Sequence, residues 1–171
     1  DVALCENSNE VYQYRKYGYK GKCVIIPNPV IKPTNPLIKN PITVNSNSIN
    51  LLFLGRIHSS KGIINAIKLT EKLNSIKHKF CLTIIGNDEG DLQKLLSYVT
   101  KRNLTDSIKF LPPVYGDERF SYYAAADAYL LLPIQNLETS VASIESLSMD
   151  TIVLFNNNSF IYSILKLQVI H

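Results

Sequence analysis

The sequence lacks several features that would assign a protein to a class at once. Its three cysteines are an odd number without a C-x-x-C spacing, so neither a disulfide framework nor a zinc site is indicated. No apolar run approaches the roughly 18 residues of a membrane-spanning helix, and the first residues lack the basic start of a signal peptide. The glycine spacings of the P-loop and of the dinucleotide fingerprint are also absent. The cysteine pattern favours reduced thiols in a reducing compartment.

A strong charge of either sign is missing too. The formal net charge is +4 over 171 residues, and no long run of like charges occurs. Nucleic-acid binding is therefore not indicated, whereas an anionic small ligand fits the mild basic excess. Because 46% of the residues are hydrophobic, the chain can form a globular domain with a sizeable core.

The sequence divides into three stretches. Residues 1–26 contain a helical pattern over Glu6–Tyr17, which is followed by a strand at 23–27. Residues 27–48 hold five prolines and many Asn and Ser residues, which predicts an extended linker. From residue 49 to residue 171 the pattern changes to strands that alternate with helices, which predicts an α/β domain.

The alternation in the third stretch is regular. Buried strands are predicted at 49–55, 80–86, 108–111, 127–133 and 151–155, and helices at 61–77, 91–103, 116–126 and 138–149. Helices of this length between strands imply right-handed crossovers and a doubly wound, parallel, Rossmann-like sheet. Such sheets bind ligands at the carboxyl ends of their strands, so the turns after the strands should line one edge.

The turn after the first of these strands, Gly55–Gly62, carries candidate ligand-binding residues. Arg56 and Lys61 place two cations beside free backbone N–H groups where a strand gives way to a helix. A polyphosphate needs this chemistry, although two solvated surface cations are the simpler explanation of the pair by itself. His58 is interpreted as an ordinary loop histidine, with contact to a sugar or a phosphate as the alternative.

Acidic residues after other strands are weaker candidates. Glu145 lies in a predicted helix just after a strand, where a carboxylate can accept two hydroxyl hydrogen bonds; a glutamate on the helix surface is the simpler explanation. Glu138 is explained by its position near a helix N-terminus. The acidic segment 87–91 is interpreted as a turn with a helix cap rather than as a metal-binding loop.

Five segments resemble, in the same order, the motifs of one family. They are VIIPNPV (24–30), LLFLGRIHSSKG (51–62), LTIIGNDEGDLQKLL (82–96), IKFLPPVYGDERFSYYAAADAYLLLP (108–133) and LETSVASIESLSM (137–149). The family is that of the retaining glycosyltransferases of family 4, which belong to the GT-B group. The resemblance is to the carboxy-terminal, donor-binding domain of these enzymes, and its most specific motif is the G-R-x-x-x-x-K-G of the second segment.

The resemblance implies a fold and a function. The fold would be one half of a GT-B fold, truncated at both ends. Residues 1–26 would be a remnant of the amino-terminal acceptor domain, and residues 49–171 an incomplete domain for a nucleotide-sugar donor. The activity would be transfer of a hexose from a nucleotide diphospho-sugar to a glycan or lipid-linked acceptor, with the chain by itself inactive. The implied location is the cytoplasm, with peripheral contact of the full protein with the inner face of the membrane as an option.

The resemblance also implies roles for individual residues. Arg56, Lys61 and Glu138 would be catalytic: the two cations would neutralise the leaving diphosphate without a metal ion or another cofactor, and Glu138 would face the donor sugar. Glu145 would hold the ribose hydroxyls. The other expected donor-binding residues are Gly55, Gly86, Leu111, Val114, Thr139 and Ser140, with the backbone of 111–114 at the base.

The sequence departs from the family pattern over residues 137–140. Leu137 stands where the first acid of the family's E-x7-E pair belongs, and Glu138 is one residue away. Glu138 and Ser140 also replace two glycines that allow the backbone to approach the phosphate and the sugar. Two alternatives therefore remain open, which are a degenerate, non-catalytic nucleotide-sugar-binding module and a GT-B-like sugar-nucleotide epimerase.

Overall fold

The described part of the chain contains a small sheet near its start and a larger one after it. The structure is a computed structural model, and it describes residues 1–26, 28–31, 33, 41, 47–76, 78–134 and 140–156. In the small sheet, strands β1 (Val2–Cys5) and β2 (Lys22–Ile25) are parallel, and helix α1 (Ser8–Lys16) connects them. The sequence analysis does not predict β1, because four residues with one buried side chain are too short to show a strand period.

The larger sheet consists of five parallel strands. They are β3 (Ser48–Leu54), β4 (Lys79–Ile85), β5 (Ile108–Leu111), β6 (Ala128–Leu131) and β7 (Ile152–Phe155). Their order across the sheet is β5-β4-β3-β6-β7, so the chain adds strands on one side of β3 and then returns to its other side. This order confirms the predicted doubly wound, Rossmann-like sheet, and the five strands lie where the apolar runs predict them.

Four helices cover the two faces of the larger sheet. Helices α2 (Ile63–Leu73) and α3 (Leu92–Lys101) pack on one face, and helices α4 (Glu118–Ala125) and α5 (Val141–Ser148) pack on the other. The three inner strands, β3, β4 and β6, are therefore buried on both sides, which is the reason their sequences read as continuous apolar runs, whereas the edge strand β7 leaves Ile152 and Leu154 exposed.

The ends of helix α2 differ from the prediction. Residues Ser59–Lys61 form a separate 3₁₀ helix, whose first turn is capped by the ring nitrogen Nδ1 of His58, and α2 begins only at Ile63. At the other end α2 stops at Leu73. Ile76, which the sequence pattern places on the buried face of this helix, is consequently 57% exposed.

The predicted division into domains stays a prediction. Most of the linker predicted at 27–48 lies outside the described residues, so its conformation is not given. Over the ranges that the structure does describe, no helix combines the length and the apolarity that crossing a membrane would require.

A polar contact fixes the start of β6 beside β3. The backbone N–H of Asn50 donates to Oδ2 of Asp127 over 2.7 Å, and the backbone N–H of Asp127 donates to the carbonyl oxygen of Asn50 over 2.9 Å. Because β3 and β6 are the two strands at which the strand order reverses, this contact sets their register from near the amino ends of the strands, opposite to the carboxyl ends at which doubly wound sheets bind ligands.

Gly62 joins the 3₁₀ helix to α2 at a position with no room for a side chain. Its φ is 69°, in the left-handed region, and a Cβ atom there would lie 1.7 Å from the carbonyl oxygen of Leu132. The side-chain amide Nδ2 of Asn65 donates to that same oxygen over 3.1 Å. The turn after β3 therefore packs directly on the chain that leaves β6.

We expect Gly62→Ala to destabilise the protein strongly. The left-handed conformation alone costs a non-glycine residue about 1–3 kcal/mol, and the contact with Leu132 adds to this cost. The matched control is Gly116→Ala, because Gly116 also has a left-handed φ, of 57°, but has open space around it. Urea unfolding measures both variants. A loss of unfolding free energy in Gly62→Ala no larger than in Gly116→Ala would show that the contact with Leu132 does not matter.

Candidate functional site

The loops after strands β3 to β6 meet at one edge of the larger sheet, as the sequence analysis predicts. The backbone N–H of Ile57 donates to the carbonyl oxygen of Asn87 over 2.8 Å, which joins the first two loops. The hydroxyl of Tyr115 donates to Oδ1 of Asn87 over 3.0 Å and joins the third. The backbone N–H of Ile134 donates to the carbonyl oxygen of Ser60 over 3.4 Å and joins the fourth. These hydrogen bonds make one continuous edge from the four loops.

Two of the predicted site residues, Gly55 and Gly86, are in direct contact. A Cβ atom at Gly86 would lie 1.7 Å from the carbonyl oxygen of Gly55, so any larger residue would push the Gly55–Arg56 peptide away. The absence of a side chain thus holds the start of the Gly55–Gly62 turn against the end of β4.

Arg56 and Lys61 lie in this turn, but their surroundings differ. The side chain of Arg56 is 61% exposed, and its Nη1 donates to Oε2 of Glu89 over 3.0 Å. Lys61 is half-buried in the 3₁₀ helix. Because an exposed ion pair contributes little to stability, a ligand with several phosphate oxygens can compete with Glu89 for the guanidinium group.

The acidic loop after β4 caps a helix. Oδ1 of Asp88 accepts hydrogen bonds from the backbone N–H groups of Leu92, Gly90 and Asp91 over 3.1, 2.8 and 3.1 Å. These bonds, the one from Leu92 first, hold the pKa of Asp88 below its usual range. The predicted turn and cap are confirmed. Where residues are described, no three His, Cys, Asp or Glu side chains lie close enough together to hold a metal ion.

Glu145 is buried, so its interpretation as a surface glutamate is wrong. Its side chain is 8% exposed and forms an ion pair with Arg119 from the neighbouring helix. Nε of Arg119 donates to both carboxylate oxygens over 3.0 Å, and Nη2 donates to Oε1 over 2.8 Å. The hydroxyl of Tyr123 donates to Oε2 over 3.1 Å. Hydrogen bonding to Glu145 raises the pKa of Arg119, and burial raises that of Tyr123, so both side chains keep their protons.

Two buried tyrosines connect this carboxylate to the end of β3. The rings of Tyr123 and Tyr129 meet edge to face with their centroids 5.8 Å apart. The hydroxyl of Tyr129 donates to the carbonyl oxygen of Leu54 over 3.1 Å, and burial raises the pKa of this hydroxyl. Because Leu54 immediately precedes Gly55, the carboxylate of Glu145 and the Gly55–Gly62 turn belong to one connected cluster.

Arg119 is the residue that sequence reasoning missed. It stands inside the fourth resembling segment, but no spacing marks it as functional. The available signal was its position four residues before Tyr123, which puts a cation on the same helix face as a buried tyrosine.

Other predicted site residues carry less structural information. Glu138 and Thr139 lie outside the described residues. Ser140 caps helix α5, because its hydroxyl accepts a hydrogen bond from the backbone N–H of Ser143 over 3.4 Å; the helix therefore begins at Val141 and not at residue 138. Leu111 and Val114 are half-buried beside the end of β5 and pack against the core of the second face. The ligand contacts proposed for these residues stay predictions.

Comparison with known proteins gives a family and a fold. A profile of the family described as glycosyl transferases group 1 matches residues 35–169, which is most of the chain. No curated protein matches the chain by sequence.

Many solved structures resemble the chain in fold, at low sequence identity. WaaG, a glycosyltransferase involved in lipopolysaccharide biosynthesis, superposes with a TM-score of 0.75 at 17% identity over 96% of this chain and 47% of its own. HepE from Anabaena, in complex with UDP, superposes with a TM-score of 0.71 at 14% sequence identity, and the match covers 95% of this chain and 46% of HepE. The pneumococcal O-GlcNAc transferase GtfA, in complex with UDP and GlcNAc, superposes with a TM-score of 0.68 at 18% sequence identity, and the match covers 92% of this chain and 30% of GtfA. The chain thus has the fold of part of a GT-B glycosyltransferase and spans less than half the length of these proteins.

We expect Glu89→Gln to strengthen the binding of inorganic pyrophosphate at the Gly55–Gly62 turn. The substitution removes the carboxylate that occupies Arg56, and one unit charge about 7 Å away in water changes affinity by roughly threefold. Calorimetry at low salt measures the change. Glu71→Gln is the matched control, because Glu71 pairs with Arg102 at the far end of helix α3. If pyrophosphate bound Glu89→Gln no more tightly than the unaltered protein, Glu89 would not compete for Arg56.

Proposed function

The chain belongs to the family of glycosyl transferases group 1, and from this premise we propose that it forms the donor-binding half of a glycosyltransferase. The reaction is transfer of a hexose from a nucleotide diphospho-sugar to a glycan or lipid-linked acceptor. Residues outside this chain would supply the acceptor site, in keeping with the share of GT-B structures that the chain spans.

One observation carries the proposal, namely that the Gly55–Gly62 turn and the carboxylate of Glu145 lie in one cluster at the strand ends. An exposed cation, Arg56, stands on one side of this cluster. A buried carboxylate stands on the other side and is connected through Tyr123 and Tyr129 to the residue before the turn. A nucleoside diphosphate needs both elements, because it carries anionic phosphates at one end and a ribose diol near the other.

In the proposed reaction the cations act on the leaving group. The bond between the sugar and the diphosphate breaks, and negative charge grows on the departing nucleoside diphosphate. Arg56 and Lys61 would stabilise this charge at the moment it develops, which lowers the barrier without a metal ion. Glu145 would orient the ribose and so hold the diphosphate in line with the turn.

The finer assignment is to the retaining glycosyltransferases of family 4. It is supported by the ungapped G-R-x-x-x-x-K-G motif at 55–62 and by the buried acid at the position of the second glutamate of the E-x7-E pair. In this assignment Glu138 would face the donor sugar, and the backbone of Thr139 and Ser140 would lie beside it.

A second candidate is a nucleotide-sugar-binding module without catalytic activity. The observation that favours it is the sequence of residues 137–140, where side chains replace the two glycines of the family pattern and the first acid is displaced by one residue. Turnover by the full protein with a panel of nucleotide-sugar donors distinguishes the two candidates.

We expect the chain to bind a nucleoside diphosphate, and we expect Arg56→Ala combined with Lys61→Ala to weaken this binding by roughly tenfold to a hundredfold. Each substitution removes one charge-assisted contact to the diphosphate. Isothermal titration calorimetry with uridine, guanosine and adenosine diphosphates measures the effect.

The control for this experiment is Lys101→Ala combined with Arg102→Ala. These two cations end helix α3 at the opposite edge of the sheet, so the variant has the same net charge without touching the site. Equal affinities of the unaltered protein and the Arg56/Lys61 double variant would contradict a role of the two cations in binding.

A further inference from the structure

We propose that Arg119 is a further recognition residue, which together with Glu145 forms a preassembled donor–acceptor pair for the two hydroxyls of the nucleotide ribose. This inference rests on the proposed function, because it states which part of a bound nucleoside diphosphate, the ribose, the two side chains recognise. It concerns a residue to which the family resemblance assigns no role.

The first argument is the exposure of the two partners. The side chain of Glu145 is 8% exposed, whereas that of Arg119 is 31% exposed. A ligand that reaches this ion pair from solvent therefore meets the guanidinium group at least as readily as the carboxylate. Glu145 by itself is too deeply covered to be the only contact of a ribose.

The second argument is a count of donors and acceptors. A carboxylate offers about four acceptor positions, and Nε and Nη2 of Arg119 with the hydroxyl of Tyr123 take up most of them. One hydroxyl of the ligand can donate to what remains on Glu145. Among the described residues, the guanidinium group of Arg119 donates to Glu145 and to Gly116. Its remaining N–H groups can donate to the neighbouring hydroxyl of the ligand.

The third argument is charge. A buried carboxylate stays ionised only when an opposite charge and hydrogen bonds compensate its loss of water. Arg119 supplies both through its two donating nitrogens, and Tyr123 adds a third donor. A carboxylate paired with a guanidinium group in this way accepts hydrogen bonds but donates none, which suits a ribose hydroxyl as its partner.

The fourth argument is rigidity. Nη1 of Arg119 donates to the carbonyl oxygen of Gly116, and its Cζ lies 4.8 Å from the centre of the Phe120 ring. Arg119 thus fixes the loop after β5 and the carboxylate of Glu145 relative to each other. A pair held in this way loses little freedom when it binds a diol.

The test compares three probes in calorimetry, namely a ribonucleoside diphosphate, its 2′,3′-dideoxy analogue and inorganic pyrophosphate. The ribonucleoside diphosphate is the one that the unaltered protein binds most tightly among those of uridine, guanosine and adenosine. We expect Arg119→Met to weaken binding of the ribonucleoside diphosphate by roughly tenfold, and to leave the dideoxy analogue and pyrophosphate nearly unchanged.

A comparison of Glu145→Gln with the double variant Arg119→Met/Glu145→Gln keeps the test valid if Arg119→Met by itself folds poorly. Glu145→Gln removes the other partner, and Arg119→Met/Glu145→Gln has no unpaired buried charge. Because the two residues act as one pair, we expect the second substitution to cost little once the first is present. Arg102→Met is the matched control, since Arg102 forms a comparable pair with Glu71 away from the strand ends.

The outcomes separate this inference from the proposed function. An equal loss for all three probes, a further tenfold loss when Arg119→Met is added to Glu145→Gln, or no loss in Arg119→Met would overturn the role of Arg119 while nucleoside diphosphate binding stands. Equal affinity of the unaltered protein for the ribonucleotide and its dideoxy analogue would also overturn it. If no nucleoside diphosphate bound to the unaltered protein at all, the proposed function itself would fail, and this inference with it.

Discussion

The candidate site depends on two places where backbone meets backbone with no space for a side chain. Gly86 lies against the carbonyl oxygen of Gly55, and Gly62 lies against that of Leu132. Parallel strands bring their carboxyl ends to one edge of a sheet, but they do not bring the following loops into contact. The two glycines do, because they let the turn after β3 touch the end of β4 on one side and the end of β6 on the other.

A buried ion pair sets the other half of the site, and it is not explained by stability. Burying Glu145 removes the water of its carboxylate, and an apolar pair of similar size would serve the core of this face as well or better. Instead, helix α5 turns Ser143, Glu145 and Ser146 inward and leaves Leu147 38% exposed. Under the proposed function, a ligand that binds at the strand ends would account for the burial of Glu145 there.

The sequence predicted the larger sheet well because its inner strands are buried on both faces and read as nearly unbroken apolar runs. It predicted helix ends poorly, since single side chains such as those of His58 and Ser140 decide where a helix starts. For α5 the residue type was misleading, because Glu145 was interpreted as a surface residue, whereas Ser143, Glu145 and Ser146 are the buried residues of this helix. Arg119 was missed because its partner, Glu145, comes from another helix 26 positions later, and a pairing over that distance leaves no local pattern.

Under the proposed function, the two halves of the site contribute differently to recognition. Arg56 is exposed and acts mainly through charge, so it favours any polyphosphate and is weakened by salt. The pair of Arg119 and Glu145 is less exposed than Arg56 and is fixed by directional hydrogen bonds, so its recognition of a ligand would depend on the positions of individual hydroxyls. Affinity for the diphosphate and selectivity for the nucleoside would therefore come from separate residues. In the family pattern, the departures at 137–140 concern the residues expected at the donor sugar. Under the proposed function, a chain with these departures would bind the nucleotide and still fail to transfer a sugar.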